Sequence, residues 1–156
     1  MPAVSVPVMT REELTLKIQT LKRTKKLTWK QIAVHVGTGS PILTTAALFG
    51  QMHLSPAEAD NAAQILGLDN EERDLLTEIP YRGSLAQVPP TDPLIYRFYE
   101  LIQVYGTTWK ALIQEEFGDG IMSAIDFDMQ LERQPDPKGD RVKVTMSGKF
   151  LPYKRY

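Results

Sequence analysis

The hydrophobic period of this chain changes once, and that change limits what the chain can fold into. Up to about Phe117, apolar residues recur at helical spacing. From Ile125 onward, Ile125, Phe127, Met129 and Leu131 alternate with Asp126, Asp128, Gln130 and Glu132. After the turn sequence P-D-P-K-G-D, Val142, Val144 and Met146 alternate with Arg141, Lys143 and Thr145. Period two is the mark of a half-buried strand, so the end of the chain reads as one β-hairpin. Helices followed by a single hairpin define an α+β class.

The helical part punctuates itself. Thr10 caps a first helix, with Glu13 at the third position for a capping box and Leu14, Ile18 and Leu21 as its apolar stripe. Thr28 caps a second helix that turns Ile32, Ala33 and Val36 inward, and Gly37 ends it. Pro41 suits the first turn of a third helix running to about Phe49. Ser55-Pro56 starts a fourth helix, with Ala59, Ala62, Ala63 and Leu66 inward and Gly67 closing it. Asp69 starts a short fifth that carries Leu75, Leu76 and Ile79.

Residues 80–91 hold three prolines and a glycine, which makes them a linker arm. The predicted domains are therefore a helical bundle over 1–79, the arm over 80–91, and a second unit over 92–156. Asp92-Pro93 opens a helix with Ile95, Phe98, Leu101, Ile102 and Tyr105 as a buried stripe, stopped by Gly106. Thr108 then caps another helix containing Trp109, Leu112, Ile113 and Phe117, broken by Gly118 and Gly120.

The second unit spans about 65 residues, near the lower limit for self-sufficiency, and a lone hairpin is marginal in water. Each strand still has an apolar face that needs cover. The predicted cover is another copy of the chain, in an intertwined homo-oligomer.

Composition removes whole classes of chemistry. There is no cysteine, so disulfides, thiol nucleophiles and thiolate metal sites are excluded. Two histidines, His35 and His53, do not make a histidine-rich metal site. Lys and Arg total 18 against 19 Asp and Glu, a net charge of −1, which offers no general pull toward nucleic acid or an anionic membrane. No apolar run reaches the ~18 residues of a membrane span. The opening M-P-A-V-S-V-P-V-M-T lacks a basic start and does not read as a signal peptide, so the expected location is cytoplasmic.

Few side chains are left to do chemistry. The run from Leu27 to Gly50 resembles a repressor-type helix-turn-helix, but its second helix, P-I-L-T-T-A-A-L-F, has no charged or amide side chain to meet base edges. The basic cluster Lys22, Arg23, Lys25 and Lys26 could touch phosphates only. A DNA-binding regulator with a dimerising hairpin is thus the alternative function. Gly118-Asp119-Gly120 lacks the context of a phosphate loop and suits a helix end with a tight turn. Arg97 and Glu100, at i and i+3, read by spacing as an exposed ion pair worth ~0.2–0.5 kcal/mol, or else as an arginine steadied by its neighbour and offered to an anion. Ser123 reads as a turn serine or as a hydroxyl donor, with no neighbouring histidine to activate it as a nucleophile.

Three segments carry a family resemblance: I-P-Y-R-G; the long run P-T-D-P-L-I-Y-R-F-Y-E-L-I-Q-V-Y-G-T-T-W-K-A-L-I-Q-E-E-F-G-D-G-I-M-S-A-I-D-F; and G-K-F-L-P-Y-K. They closely resemble the cyanase (cyanate hydratase, cyanate lyase) family. The resemblance covers the whole chain and is densest from Ile79 to Phe127. It implies conversion of cyanate and bicarbonate to ammonia and carbon dioxide through carbamate. It places the family's catalytic Arg, Glu and Ser on Arg97, Glu100 and Ser123, and its site-lining residues on Ile121 and Leu151. It further implies a decamer of five dimers with active sites between subunits, small anions as the only other partners, bicarbonate as co-substrate, and no metal or other cofactor. Some relatives carry a cysteine after the I-P-x-R-G run, where this chain has Ser84.

Overall fold

A computed structural model describes residues 9–83 and 88–156. Expectations for the opening segment, for Ser84 and for the middle of the linker arm therefore fall outside the described residues. Chain contacts divide the molecule into two compact units, 1–84 and 85–156.

Among the described residues, the first unit holds five helices: α1 (Arg11–Thr24), α2 (Trp29–Val36), α3 (Pro41–Leu48), α4 (Pro56–Leu66) and α5 (Asn70–Thr77). Each starts where a short polar side chain can take up an orphan amide. Thr10, Thr28, Ser55 and Asp69 each form reciprocal capping boxes with Glu13, Gln31, Glu58 and Glu72. Ser40 caps α3 by accepting from the Leu43 amide at 3.1 Å. Gly37 and Gly67 end α2 and α4 in the left-handed conformation, where a side chain would be strained. The helices pack Leu14, Ile18, Ile32, Val36, Leu48, Leu54, Leu66 and Leu76 into one fully buried cluster. α2, the Gly37 turn and α3 keep the expected helix-turn-helix order. Ile79 departs from expectation: it lies beyond α5 and is exposed.

Arg11 ties this unit together. Its guanidinium donates to the carbonyls of Leu75 and Glu78 at the end of α5, Ala47 in α3 and Met52. The Ala47 and Leu75 carbonyls also accept the amides of Gly50 and Glu78, so the arginine is a second donor to these and ties the helix ends to the loop carbonyl of Met52. Burial pushes the Arg11 pKa below its usual value, against the opposing pull of Glu78.

The second unit holds α6 (Pro93–Phe117), β1 (Gly120–Gln134) and β2 (Arg141–Pro152). Asp92 caps α6 by accepting from the Leu94 and Ile95 amides, with Pro93 in the first turn. The expected break at Gly106 is absent, and α6 runs unbroken through Thr108 for 25 residues. Glycine inside a helix costs about 1 kcal/mol but keeps its N–H, so flanking turns carry the ladder through. The helix ends at Gly118, which has φ 94° and whose N–H donates to the Gln114 carbonyl.

The strands form a two-stranded antiparallel hairpin, longer at both ends than the alternating core predicts. Met129 faces Met146 and Leu131 faces Val144, while Glu132 faces Lys143 on the other side. Apolar and charged residues are thus sorted to opposite faces as alternation requires. Ile125 is the exception, for it falls in a bulge and is 99% exposed.

α6 contains no buried residue. The expected stripe of Ile95, Phe98, Leu101, Ile102 and Tyr105 is exposed within this chain, because no element of the unit lies over it. Among the described residues, no helix is long and apolar enough to cross a membrane.

Candidate active site

The first candidate pair sits on the opening turns of α6. Arg97 Nη1 donates to Glu100 Oε2 at 2.8 Å, with the side chains 66% and 47% exposed. Helical spacing of three puts them on one face, as expected. The guanidinium has five N–H donors, and this contact leaves most of them free for an anion.

Ser123 has a different environment. It lies in β1, and it is the one buried residue among the described residues of the second unit. Its Oγ accepts from the amides of Ile125 at 3.0 Å and Asp126 at 2.9 Å. Both acceptor positions of the hydroxyl are thereby filled. Structurally, then, Ser123 is the turn residue that its sequence context also allowed.

The reason is a bulge. Met122 pairs with Phe150 and Phe127 with Gly148, so four residues of β1, 123 to 126, stand against Lys149 alone. Such insertions re-aim side chains locally and leave backbone amides without ladder partners. Here the Ser123 hydroxyl satisfies two of those amides.

Ile121 and Leu151 are direct partners across the hairpin, next to Gly120 opposite Pro152. Phe117 stacks on Phe150 at 5.3 Å between ring centres, and the Tyr153 amide donates to the Asp119 carbonyl at 3.0 Å. The Gly-Asp-Gly turn is therefore tied to the end of β2 and holds the helix end against the hairpin. A Cβ at position 120 would overlap the Leu151 carbonyl oxygen and the Phe150 ring.

The structure thus joins Arg97 to Glu100 and, separately, Ile121 to Leu151. Within one chain no hydrogen bond or ion pair links the Arg97–Glu100 pair to Ser123. Sequence reasoning missed Gly148 and the two bulge amides, and it read Gly120 as a helix breaker and turn residue without the close approach of the second strand. Glycines inside strands were the available signal, since they mark close backbone approach.

The remaining candidates resolve locally. His35 Nε2 lies 3.2 Å from Gln64 Oε1 at the surface, and His53 is exposed. No group of three His, Cys, Asp or Glu residues that could hold a metal occurs among the described residues. Lys22, from the basic cluster, packs its ammonium 4.9 Å above the Trp29 ring.

The model of the cyanate hydratase N-terminal domain matches residues 11–80, and that of the cyanate lyase C-terminal domain matches residues 87–155. Cyanate hydratase from Dechloromonas aromatica is 62% identical over 95% of this chain and 100% of its own length. The enzyme of the same name from Ralstonia pickettii is 60% identical over the same shares. The crystal structure of cyanase from T. urticae has a TM-score of 0.75 and 38% identity, covering 90% of this chain and 97% of that one. The chain belongs to the cyanate hydratase (cyanase) family.

Proposed function

We propose that this chain is a lyase that decomposes cyanate with bicarbonate to ammonia and carbon dioxide by way of carbamate. The observation that carries the reading is 62% identity to a cyanate hydratase across nearly the full chain. The chemistry of the residues supports it. Both substrates are small monoanions, and a site for two anions needs fixed positive charge and hydrogen-bond donors. Arg97 supplies the charge and Glu100 orients it. Ser123 supplies a hydroxyl, while Ile121 and Leu151 line the site.

In this mechanism a bicarbonate oxygen attacks the cyanate carbon while both anions are held together. The mixed anhydride loses carbon dioxide, and nitrogen takes up a proton to leave carbamate. Carbamate takes up a further proton and falls apart to ammonia and a second carbon dioxide. Arg97 and Ser123 stabilise the negative charge that develops on oxygen. Bicarbonate serves as co-substrate, and the reading includes no metal or other cofactor.

The reading also includes a homo-oligomer of dimers, assembled as a decamer, with sites completed between subunits in the cytoplasm. Its support is the α6 stripe, which leaves Phe98, Ile102 and Trp109 open to water within one chain. Apolar surface of that extent marks an interaction face.

The test is ammonia release from cyanate with and without bicarbonate, alongside the native mass by light scattering. Release that needs both anions, from a particle of ten chains, is expected. No release with both present refutes the activity, and a monomeric active particle refutes the shared site.

A further inference from the structure

The bulge does more to Ser123 than place it. A serine hydroxyl has two acceptor positions and one proton. The Ile125 amide at 3.0 Å and the Asp126 amide at 2.9 Å occupy both acceptor positions. Only the proton is left to offer, and only 4% of the residue surface remains open. A hydroxyl held this way can donate to an oxyanion. It has no free lone pair with which to attack carbon or accept a proton.

The bulge leaves no room for a side chain at residue 148, which is glycine. A Cβ there would overlap the carbonyl oxygen of Ser123 and stand 2.6 Å from Met122 Cγ. The first of these is backbone and cannot swing aside as a flexible side chain would. Gly148 is paired with Phe127, at the point where the ladder resumes after the bulge. It has no positive φ, so its need for glycine is one of space, not of backbone conformation.

We propose that Gly148 is a positioning residue for the active site: it admits the 123–126 bulge, whose amides fix the Ser123 hydroxyl as an obligate hydrogen-bond donor to substrate. This rests on the reading of Ser123 as part of a cyanate-decomposing site. It adds a determinant on the opposite strand and excludes Ser123 as nucleophile or general base. Cyanate carries no hydrogen and can only accept, so a donor-only hydroxyl matches it.

The experiment is steady-state ammonia release by the full-length protein and its G148A, S123A and S123A/G148A variants, with native mass and melting temperature measured for each. Gly148→Ala is expected to lower kcat/KM by about 100-fold, the scale of a misplacement near 1 Å. If Gly148 acts through Ser123, the double variant is no slower than S123A alone. Losses that multiply, or a G148A enzyme near wild-type activity, overturn the proposal.

Ser123→Cys decides independently should G148A not assemble. A thiol fits the serine's place and is a good nucleophile but a weak donor. An S123C enzyme as slow as S123A supports the donor role, and one that keeps turnover overturns it. An inactive wild-type protein removes the functional reading itself. An active wild type with either contrary result removes this proposal alone.

Discussion

Replacing Glu100 by glutamine separates two things a carboxylate can do for Arg97. In the structure Glu100 Oε2 accepts from Arg97 Nη1 at 2.8 Å, with Arg97 largely and Glu100 about half exposed. Glutamine keeps an acceptor oxygen in that place and removes the charge. An anion on the free edge of the guanidinium would lie about 7 Å from the carboxylate. At effective dielectric constants of roughly 20 to 80, their repulsion is ~0.6–2.4 kcal/mol. Removing it should lower the KM for bicarbonate about 3- to 60-fold while kcat stays within about threefold. Glu100→Ala removes the same charge but also releases the guanidinium, at about 0.5–1.5 kcal/mol for re-ordering a flexible side chain. Its kcat/KM should therefore fall about 2- to 13-fold below that of E100Q. The assay is initial-rate ammonia release against bicarbonate at saturating cyanate and fixed ionic strength, since exposed charges are screened by salt. A bicarbonate KM unchanged in both variants would reduce the pair to a surface ion pair. A collapse of kcat in E100Q would refute the orienting role and point to Glu100 as a proton carrier.

Three further outcomes follow from the packing. Arg11→Ala removes the guanidinium's bonds to the carbonyls of Ala47, Met52 and Leu75, of which Ala47 and Leu75 keep the amides of Gly50 and Glu78. Each lost hydrogen bond costs about 0.5–1.5 kcal/mol, so a net loss of about 2–4 kcal/mol is expected in urea unfolding followed by circular dichroism. An unchanged midpoint would remove Arg11 as the tie between α3 and α5. Gly106→Ala should raise the melting temperature, because the new Cβ meets only Ile102 Cγ2 at 3.8 Å and alanine is favoured in helices by about 1 kcal/mol. A lower melting temperature would show that a neighbouring chain packs against Gly106. Asp69 caps α5 by accepting from the Glu72 amide, and that bond holds its carboxyl below the usual range. Its contribution is full above the unfolded pKa of about 4 and is lost as pH falls through the lower folded value. The stability gap between wild type and D69N should be constant at neutral pH and shrink in acid, and a gap independent of pH would contradict the charged cap.

Much of the fold was legible because much of it is local. Thr10, Thr28, Ser55 and Asp69 announce helix starts, since capping joins atoms three residues apart and needs no distant partner. The alternation of Phe127, Met129 and Leu131 gave a strand, and the register pairs it with Val144 and Met146 as that pattern demands. Gly106 misled for the same reason. It was weighed locally as a stop, whereas the turns on either side carry the helix through it.

By itself, then, the sequence determined the helix starts of the first unit, the α+β class, the Arg97–Glu100 pair and, through family resemblance, the residues to watch. Tertiary structure alone decided that Arg11 would bind carbonyls 36 to 67 positions away. It alone decided that Ile121 would face Leu151, and that Ser123 would sit in a bulge made possible by Gly148. The physical reason is that caps and alternation are satisfied within a few residues of one strand of chain. A filled lone pair or a missing Cβ acquires meaning only when folding brings a second strand against the first.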